Sequence, residues 1–537
     1  MTWWLAGWAG CDGGGEVAPV ETPCAEVGWE VFTEPVLTTW CTPCHAATVV
    51  GEDRRGAPDD VDFDTYESAA RWADRIVART GPDGAMPPAG GLTEAEAAGL
   101  ERWVSCGSAG PPTPADPCAE RIEYTGAATA AGEPCAAGAT VVTGDLVVAA
   151  DPGSALDCVC EVAGELRISA SVTLPNLERA GTVTVNAGAA EVALPALITA
   201  GELVVEQAEL ARLDLDALES VDANLVVFGG SLPAAFGPPR LGAVGANLLV
   251  REVAGIEQIE LPRLESVGLD FAVVGLPDLV RLFHTSDLES VGRDLRIVDS
   301  PSLAAIEDFS FVGDVGGDVE LAGDGLVSVV AFFALERIDG DLVVRDAPRL
   351  ATLAAFPDLE VVKGEVHLSD VGLADVGGFD RLRQVGGIVV SDAPDLAAWS
   401  AGSVDEVLGD VVISRSDNLP RVPFLDGVQR VDGSLVLTRL QRLNSTSALA
   451  GVTSLGGDLE LSEVGLSSLG LEGLTAVSGS VRIAGNLALG DVGLPNLAAI
   501  DGDLAVTDNP ELSQVAVDGW IAGIEVGGST TASGNGP

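Results

Sequence analysis

From about residue 140 onward, short runs of alternating apolar and polar residues recur along the chain. A glycine and an acid precede a Leu/Val run in Gly-Asp-Leu-Val-Val at 144–148 and 340–344, and in Gly-Glu-Leu-Val-Val at 201–205. Later copies begin at glycines 433, 457, 479 and 502, which are 24, 22 and 23 residues apart. Runs of this length between turn residues predict strands whose Leu and Val side chains point inward. The fixed period of about 23 residues predicts a stack of about eighteen coils.

A second corner recurs in the same region. Asp346-Ala347-Pro348 and Asp508-Asn509-Pro510 each follow a Leu/Val run. Glycine accepts positive backbone angles, and aspartate can hydrogen-bond neighbouring amides, so the acids in these corners are explained by turn chemistry.

The full pattern, Leu-x-x-Val-x-Gly-Asp-Leu-x-Val followed by Pro-x-Leu, covers residues 140–515. It resembles receptor L domains and their leucine-rich-repeat-like right-handed β-solenoids. The resemblance implies recognition or adhesion, without chemistry, and does not carry over the type of ligand. A polysaccharide-cleaving solenoid is disfavoured because the acids recur once per turn, Lys363 is the chain's one lysine and aromatic residues are scarce.

Residues 24–107 have a different, helical pattern. Trp29, Phe32, Val36, Leu37 and Trp40 predict a helix that leads towards two cysteines. Further on, Thr93 and Glu96 have the spacing of a capping box. The apolar stripe of Leu100, Trp103 and Val104 then predicts a helix that ends before Gly107.

The candidate chemistry lies between these helices. Cys41-Thr42-Pro43-Cys44-His45 is a C-x-x-C-H sequence, to which haem is attached covalently through both thiols, with the histidine as a ligand. The alternatives are a chance match, a disulfide or half of a zinc site, although no second cysteine or histidine pair accompanies this one. Met86, the one methionine besides Met1, lies in Gly-Ala-Met-Pro-Pro and could present its thioether from a stiff loop. Its alternative role is to fill a gap in the core.

These residues resemble a small class I bacterial cytochrome c over residues 24–107. The expected fold class is therefore multidomain, with a small all-α cytochrome c domain followed by a long all-β right-handed solenoid. The resemblance implies one covalent haem c, with Cys41 and Cys44 as thioether anchors and His45 and Met86 as axial ligands of the iron. It also implies one-electron exchange with a redox partner protein and no enzymatic activity, apart from peroxidase-like reactions if Met86 dissociates. The chain departs from the family in lacking an obvious glycine and aromatic pair at the contact between the terminal helices.

Three arginines, Arg71, Arg75 and Arg79, are spaced four residues apart on a predicted helix. They could reach haem propionates or an acidic partner. The interleaved acids Glu67 and Asp74 favour the other interpretation, an ordinary charged surface. His284 and His367 each stand alone in the repeats and are expected to be surface or core residues.

Acidity extends over the whole chain. The net charge is −53, of which residues 1–117 contribute 19 acidic and 6 basic side chains, or −13, and the rest −40. Such a surface repels nucleic acid and anionic membranes, so neither is an expected partner.

The remaining cysteines favour an exported protein. Besides Cys41 and Cys44, Cys11 follows a short apolar stretch that resembles the end of a bacterial lipoprotein signal, so it is the expected lipid anchor and the expected link to a membrane. The stretch lacks a basic residue, and the true start could lie upstream. Six further cysteines permit three disulfides, with pairing left open, which suits the periplasm or cell surface. They are Cys24, Cys106, Cys118, Cys135, Cys158 and Cys160.

The predicted organisation follows from these features. It comprises a signal end (1–11), a flexible tether (12–23), the haem domain (24–107), a Pro/Gly linker (108–117), a cysteine-rich cap (118–160), the solenoid (140–515), and a C-terminal cap and tail (516–537). Two functions are compatible with it. Either the haem domain transfers electrons and the solenoid docks it to a protein or glycan, or the solenoid is an adhesion or recognition element and the haem domain is accessory.

Overall fold

The computed structural model describes residues 24–55, 57–58, 61–81, 86–87, 91–108, 117–128, 133–283, 285–399, 402 and 404–537. The chain forms two compact units, Met1–Asp116 and Pro117–Pro537. The predicted lipid anchor Cys11, the tether 12–23, most of the linker and His284 lie outside the described residues.

The second unit is a β-solenoid of about 17 turns. Its described strands form one parallel sheet of 32 strands and four small parallel sheets on the other sides of the coils. The strands of the large sheet are Glu123–Tyr124, Val141–Val142, Leu146–Val148, Glu161–Ile168, Arg179–Val185, Thr199–Glu206, Ser220–Val221, Leu225–Phe228, Ala243–Val244, Leu248–Arg251, Ser266–Val267, Phe271–Val274, Ser290–Val291, Leu295–Val298, Asp314–Val315, Val319–Ala322, Arg337–Ile338, Leu342–Ala347, Val361–Val371, Gln384–Ser391, Glu406–Val407, Val411–Ser414, Arg430–Val431, Leu435–Leu440, Ser454–Leu455, Leu459–Val464, Ala476–Val477, Val481–Ala484, Ala499–Ile500, Leu504–Thr507, Glu525–Val526 and Thr530–Ser533. The small sheets contain Val172–Thr173, Glu191–Ala193 and Arg212–Asp214; Ala235–Phe236, Gln258–Glu260 and Arg281–Phe283; Ala305–Ile306, Ser328–Val329 and Thr352–Leu353; and Asp375–Val376 and Ala398–Trp399.

Equivalent residues of successive coils are in register, which confirms the predicted period of about 23 residues. Leu203 pairs with Leu225, and Leu225 pairs with Leu248. Because side chains alternate along a strand, this register stacks the inward leucines and valines into one continuous buried core. The right-handed sense of the coils stays a prediction.

The acid of each Gly-Asp corner forms a hydrogen-bond ladder between coils. Asp294 Oδ1 accepts from the Asp318 amide at 3.1 Å, Asp318 Oδ1 from the Asp341 amide at 2.8 Å, and Asp341 Oδ1 from the Glu365 amide at 2.7 Å. Each carboxylate thus satisfies an amide at the bend of the next coil. This confirms that the recurring acids serve turn chemistry.

The corner after each long strand has a left-handed backbone. Asp346 and Asp508 have φ of 49° and 59°, and Gly229 and Gly275 occupy the equivalent corner in other coils with φ of 65° and 66°. Glycine and aspartate tolerate this conformation better than most residues. The Asp-x-Pro corners read from the sequence are therefore real turns of the solenoid.

Aromatic side chains stack through the core of the middle coils. The ring of Phe332 lies between those of Phe309 and Phe356, with centroids 5.2 and 5.3 Å away, and Phe356 stacks on Phe379 at 5.5 Å. All four rings are buried. One large side chain per coil at the same place keeps the coils in register.

The first unit contains short helices: α1 (Glu34–Trp40), α2 (Tyr66–Arg71), α3 (Ala73–Thr80) and α4 (Glu94–Ser105). Two more, α5 (Glu133–Ala136) and α6 (Gln514–Ile521), belong to the second unit. The predicted capping box at the start of α4 is confirmed, since Thr93 Oγ1 accepts from the Glu96 amide and the Glu96 carboxylate accepts from the Thr93 amide.

The small all-α cytochrome c domain predicted for residues 24–107 is wrong as a fold class. Of the six α-helices in the described residues, four have seven or more residues, and the chain is mostly β-solenoid. Between α1 and α2 the described residues form turns and one short 3-10 segment, Gly51–Arg54. Pro43 and Pro58 lack the backbone donor that a helix needs, and Gly51 has φ of 62°, so this stretch does not continue α1.

Six cysteines form three disulfides, Cys24–Cys106, Cys118–Cys160 and Cys135–Cys158. The first links the two ends of the described part of the first unit, and the other two cross-link the start of the solenoid. Among the helices described, none is long and apolar enough to cross a membrane.

Candidate functional site

The C-x-x-C-H sequence begins where α1 ends. The Cys41 amide still donates to the Leu37 carbonyl at 2.8 Å, and the amides of Cys44 and His45 donate back to the Cys41 carbonyl at 3.1 and 2.9 Å. These turns carry both thiols and the imidazole to the same cavity wall. Cys41 and Cys44 are both free, so the motif is not a disulfide in this structure.

His45 is held on two sides. Its Nδ1 lies 2.8 Å from the Val61 carbonyl oxygen, and its ring stacks on Phe63 with centroids 4.7 Å apart. A carbonyl can only accept, so Nδ1 carries the proton and Nε2 keeps the lone pair that could ligate a metal. A histidine ligand is commonly oriented in this way by a backbone carbonyl.

Arg54 organises the loop behind His45. Its side chain is only 3% exposed and donates to the carbonyls of Ala46 and Val49 at 3.0 Å each. It also donates to the Val61 carbonyl at 3.1 Å and pairs with Asp62 at 3.0 Å. One guanidinium thus fixes the backbone on both sides of the imidazole.

Met86 lies on the same cavity as the C-x-x-C-H sequence. Its amide donates to the Arg79 carbonyl at 3.0 Å, which ties its loop to the end of α3. The cavity has a volume of about 580 Å³, and Cys41, Cys44, His45 and Met86 all line it. Met86 is 40% exposed and is therefore not a core gap-filler.

Both apolar and cationic side chains line the cavity. Four of the six basic residues among positions 1–117 line it: Arg54, Arg55, Arg75 and Arg79. The sequence favoured a surface role for Arg75 and Arg79, yet the structure places both beside the cavity, while Arg71 does not line it. Arg54 is a cavity residue that the sequence did not reveal, because no periodic pattern marks a buried arginine in a loop.

The thiols differ in their surroundings. Burial, with a smaller contribution from the nearby Cys44, raises the pKa of the Cys41 thiol from an ordinary 9.0 to about 11. Cys41 is therefore a neutral thiol at physiological pH when no group is attached to it.

The cavity residues fit a haem. Two adjacent thiols suit the two vinyl groups, the imidazole presents a lone pair, and the thioether lies on the same cavity. The arginines match the negative charge of two propionates. A cavity of this size is in the range that binds ligands of several hundred daltons.

A glycine and aromatic contact also joins the ends of the helical unit. A Cβ added to Gly99 of α4 would lie 2.1 Å from Cζ of Phe32, so the ring rests directly on the glycine backbone. The sequence did not reveal this pair because the two residues are far apart and neither belongs to a recognisable local motif.

In the solenoid, His367 is half-buried and points outward from the large sheet between Val343 and Val389. Within the described residues, no three His, Cys, Asp or Glu side chains converge as a metal ion held by them alone requires.

No protein-family model matches the chain, and no curated protein matches it. A solved structure that is similar in part is described as "Crystal structure of TLR13-ssRNA13 complex", with 11% identity and a TM-score of 0.15. The similarity covers 64% of this chain and 64% of that chain, less than two thirds of it. At this TM-score the likeness carries no argument, and the assignment of a β-solenoid rests on the strand register.

Proposed function

We propose that the protein is an exported electron carrier whose first unit binds one haem c covalently at Cys41 and Cys44, and whose solenoid docks that unit to a protein or glycan. The observation that carries the proposal is the arginine-lined cavity that Cys41, Cys44, His45 and Met86 share. When bound, the haem would supply a one-electron couple.

Each residue of the cavity has a separate task. Cys41 and Cys44 would hold the group in place, and His45 and Met86 would ligate its iron. The Val61 carbonyl fixes the imidazole tautomer. Arg75 and Arg79, which line the cavity, would neutralise anionic groups of the haem. Three disulfides support an oxidising location such as the periplasm or cell surface, and Cys11 is the proposed lipid anchor.

The test is an absorption spectrum of the full chain produced with c-haem maturation machinery, oxidised and reduced, before and after acid-acetone extraction. Wild type should retain low-spin haem in the protein fraction, whereas a Cys41→Ala/Cys44→Ala variant should lose it. Met86→Ala should keep the covalent haem but change its spectrum and lower its reduction potential. A folded wild-type protein without haem absorbance would refute the proposal.

A second candidate function is recognition by the solenoid alone. Its outward face carries Val389, Val412 and Val436 in register, beside Ser391 and, on the next strands, Ser414 and Thr438. This strip is uncharged on a strongly acidic protein, which suits a neutral ligand better than a charged one. If ligand binding by the whole chain is unchanged in the haem-free cysteine variant, recognition is independent of the haem.

A further inference from the structure

Arg54 and His45 share one hydrogen-bond acceptor. The Val61 carbonyl oxygen lies 2.8 Å from His45 Nδ1 and 3.1 Å from Arg54 Nη2. Resting on the proposed haem function, we infer that Arg54 is a positioning residue that tunes the reduction potential through this shared carbonyl.

The first step is geometric. Arg54 lies in the short 3-10 segment after the C-x-x-C-H sequence, and its guanidinium also donates to the carbonyls of Ala46, Val49, Ala57 and Pro58. Ala46 directly follows His45, and the Val61 carbonyl accepts the hydrogen bond from the imidazole Nδ1. The guanidinium therefore ties both the backbone of His45 and its acceptor to one rigid plane.

The second step is electronic. A cationic donor on the Val61 oxygen withdraws electron density, so this oxygen accepts more weakly from His45 Nδ1. A weaker bond leaves the imidazole less electron-rich, which favours reduced over oxidised iron. The buried positive charge acts in the same direction, because it disfavours the extra charge of the oxidised state.

The counter-ion of Arg54 allows a substitution that should shift the reduction potential in the opposite direction. Asp62 pairs with Arg54 at 3.0 Å and has a side chain 22% exposed. Its removal leaves the bonds from Arg54 to the carbonyls in place but unmasks the guanidinium charge. Asp62→Asn should therefore raise the potential, whereas Arg54→Gln should lower it.

A matched control separates the shared carbonyl from simple charge. Arg79 also lines the cavity, but the side chains that donate to the Val61 carbonyl are those of His45 and Arg54. Arg79→Gln removes one charge from the same cavity without altering that acceptor. Arg54→Lys keeps the charge but loses the planar fork, so it tests the shared carbonyl even if Arg54→Gln does not fold.

The experiment is a redox titration of full-chain, haem-loaded wild type and these four variants, with NMR of the His45 Nδ1 proton in the reduced state. At a fixed solution potential, we expect Arg54→Gln and Arg54→Lys to change the ratio of reduced to oxidised protein by at least about threefold. This corresponds to a shift of about 28 mV in the reduction potential, at about 59 mV for each tenfold change in the ratio. The Nδ1 proton should shift downfield in both, and Asp62→Asn should move the potential upward.

The outcomes are distinguishable. A wild-type protein without covalent haem overturns the proposed function itself. A haem-loaded wild type in which Arg54→Lys leaves both the potential and the Nδ1 proton unchanged overturns the role of Arg54 alone. So does an Arg54→Gln variant that behaves like Arg79→Gln in both readouts.

Discussion

The aromatic stack gives the solenoid a sharp test, because neighbouring residues in the sequence have opposite surroundings. Phe332 is fully buried between Phe309 and Phe356, whereas Phe333 is 42% exposed. Replacing a buried phenylalanine by alanine removes its transfer free energy and leaves a cavity, and it lowers the free energy of unfolding by about 3–5 kcal/mol. The same change at Phe333 should stay within about 0.5 kcal/mol.

In a solenoid the loss should be local, since each coil contacts mainly its neighbours. Native-state hydrogen exchange followed by mass spectrometry resolves the coils separately. At about 1.4 kcal/mol per tenfold, Phe332→Ala should speed exchange roughly a hundredfold to several thousandfold in peptides covering residues 305–360. Peptides from residues 161–206 should be unaffected. Equal acceleration by Phe333→Ala, or acceleration spread evenly over all coils, would show that the buried ring does not stabilise its own coils through local packing.

Three further changes test other features. Asp410 Oδ1 accepts from the Ser434 amide at 2.6 Å, so Asp410→Ala should lower stability by about 1 kcal/mol in thermal unfolding, and Asp410→Asn, which keeps an acceptor, should restore most of it. Gly99→Ala should lower the free energy of unfolding of the first unit by about 1–3 kcal/mol, measured in urea by the near-ultraviolet circular dichroism of its tryptophans. Adding Phe32→Ala should relieve the overlap between the new Cβ and the Phe32 ring, so the double variant should not be destabilised by the sum of the two changes. The raised Cys41 pKa predicts that, in haem-free protein, iodoacetamide labels Cys41 slowly until the pH approaches 11. The contribution of the neutral Cys41 thiol to the free energy of unfolding should be fully present below about pH 9 and lost as the pH rises towards 11. Rapid labelling at pH 8 would contradict this.

The solenoid could be predicted because its contacts repeat at a fixed sequence distance. Once Gly-Asp-Leu-Val-Val recurs about every 23 residues, the pairing of Leu225 with Leu248 and the ladder from Asp318 to Asp341 follow from the strand period. The stack from Phe309 to Phe379 was harder to foresee. These phenylalanines recur with the period of the coils, but at a position that other coils fill with leucine, as at Leu261 and Leu471, so the Leu/Val pattern does not reveal them.

The first unit resisted prediction because its decisive contacts are irregular. The motif Cys41–His45 and the capping box at Thr93 are local, and both were visible in the sequence. The helical fold class inferred from them failed because Pro43, Gly51 and Pro58 keep the stretch before α2 out of a helix.

The same irregular stretch is what builds the site. Turns leave free the backbone carbonyls that a helix would satisfy internally. Arg54 donates hydrogen bonds to five of these carbonyls, and one of them, that of Val61, also accepts a hydrogen bond from His45 Nδ1. A helix over these residues would have satisfied those carbonyls internally and withdrawn them as acceptors for the guanidinium. The departure from the expected all-α fold class and the arginine-ordered cavity therefore meet in this loop, whose backbone acceptors hold a buried cation behind the imidazole.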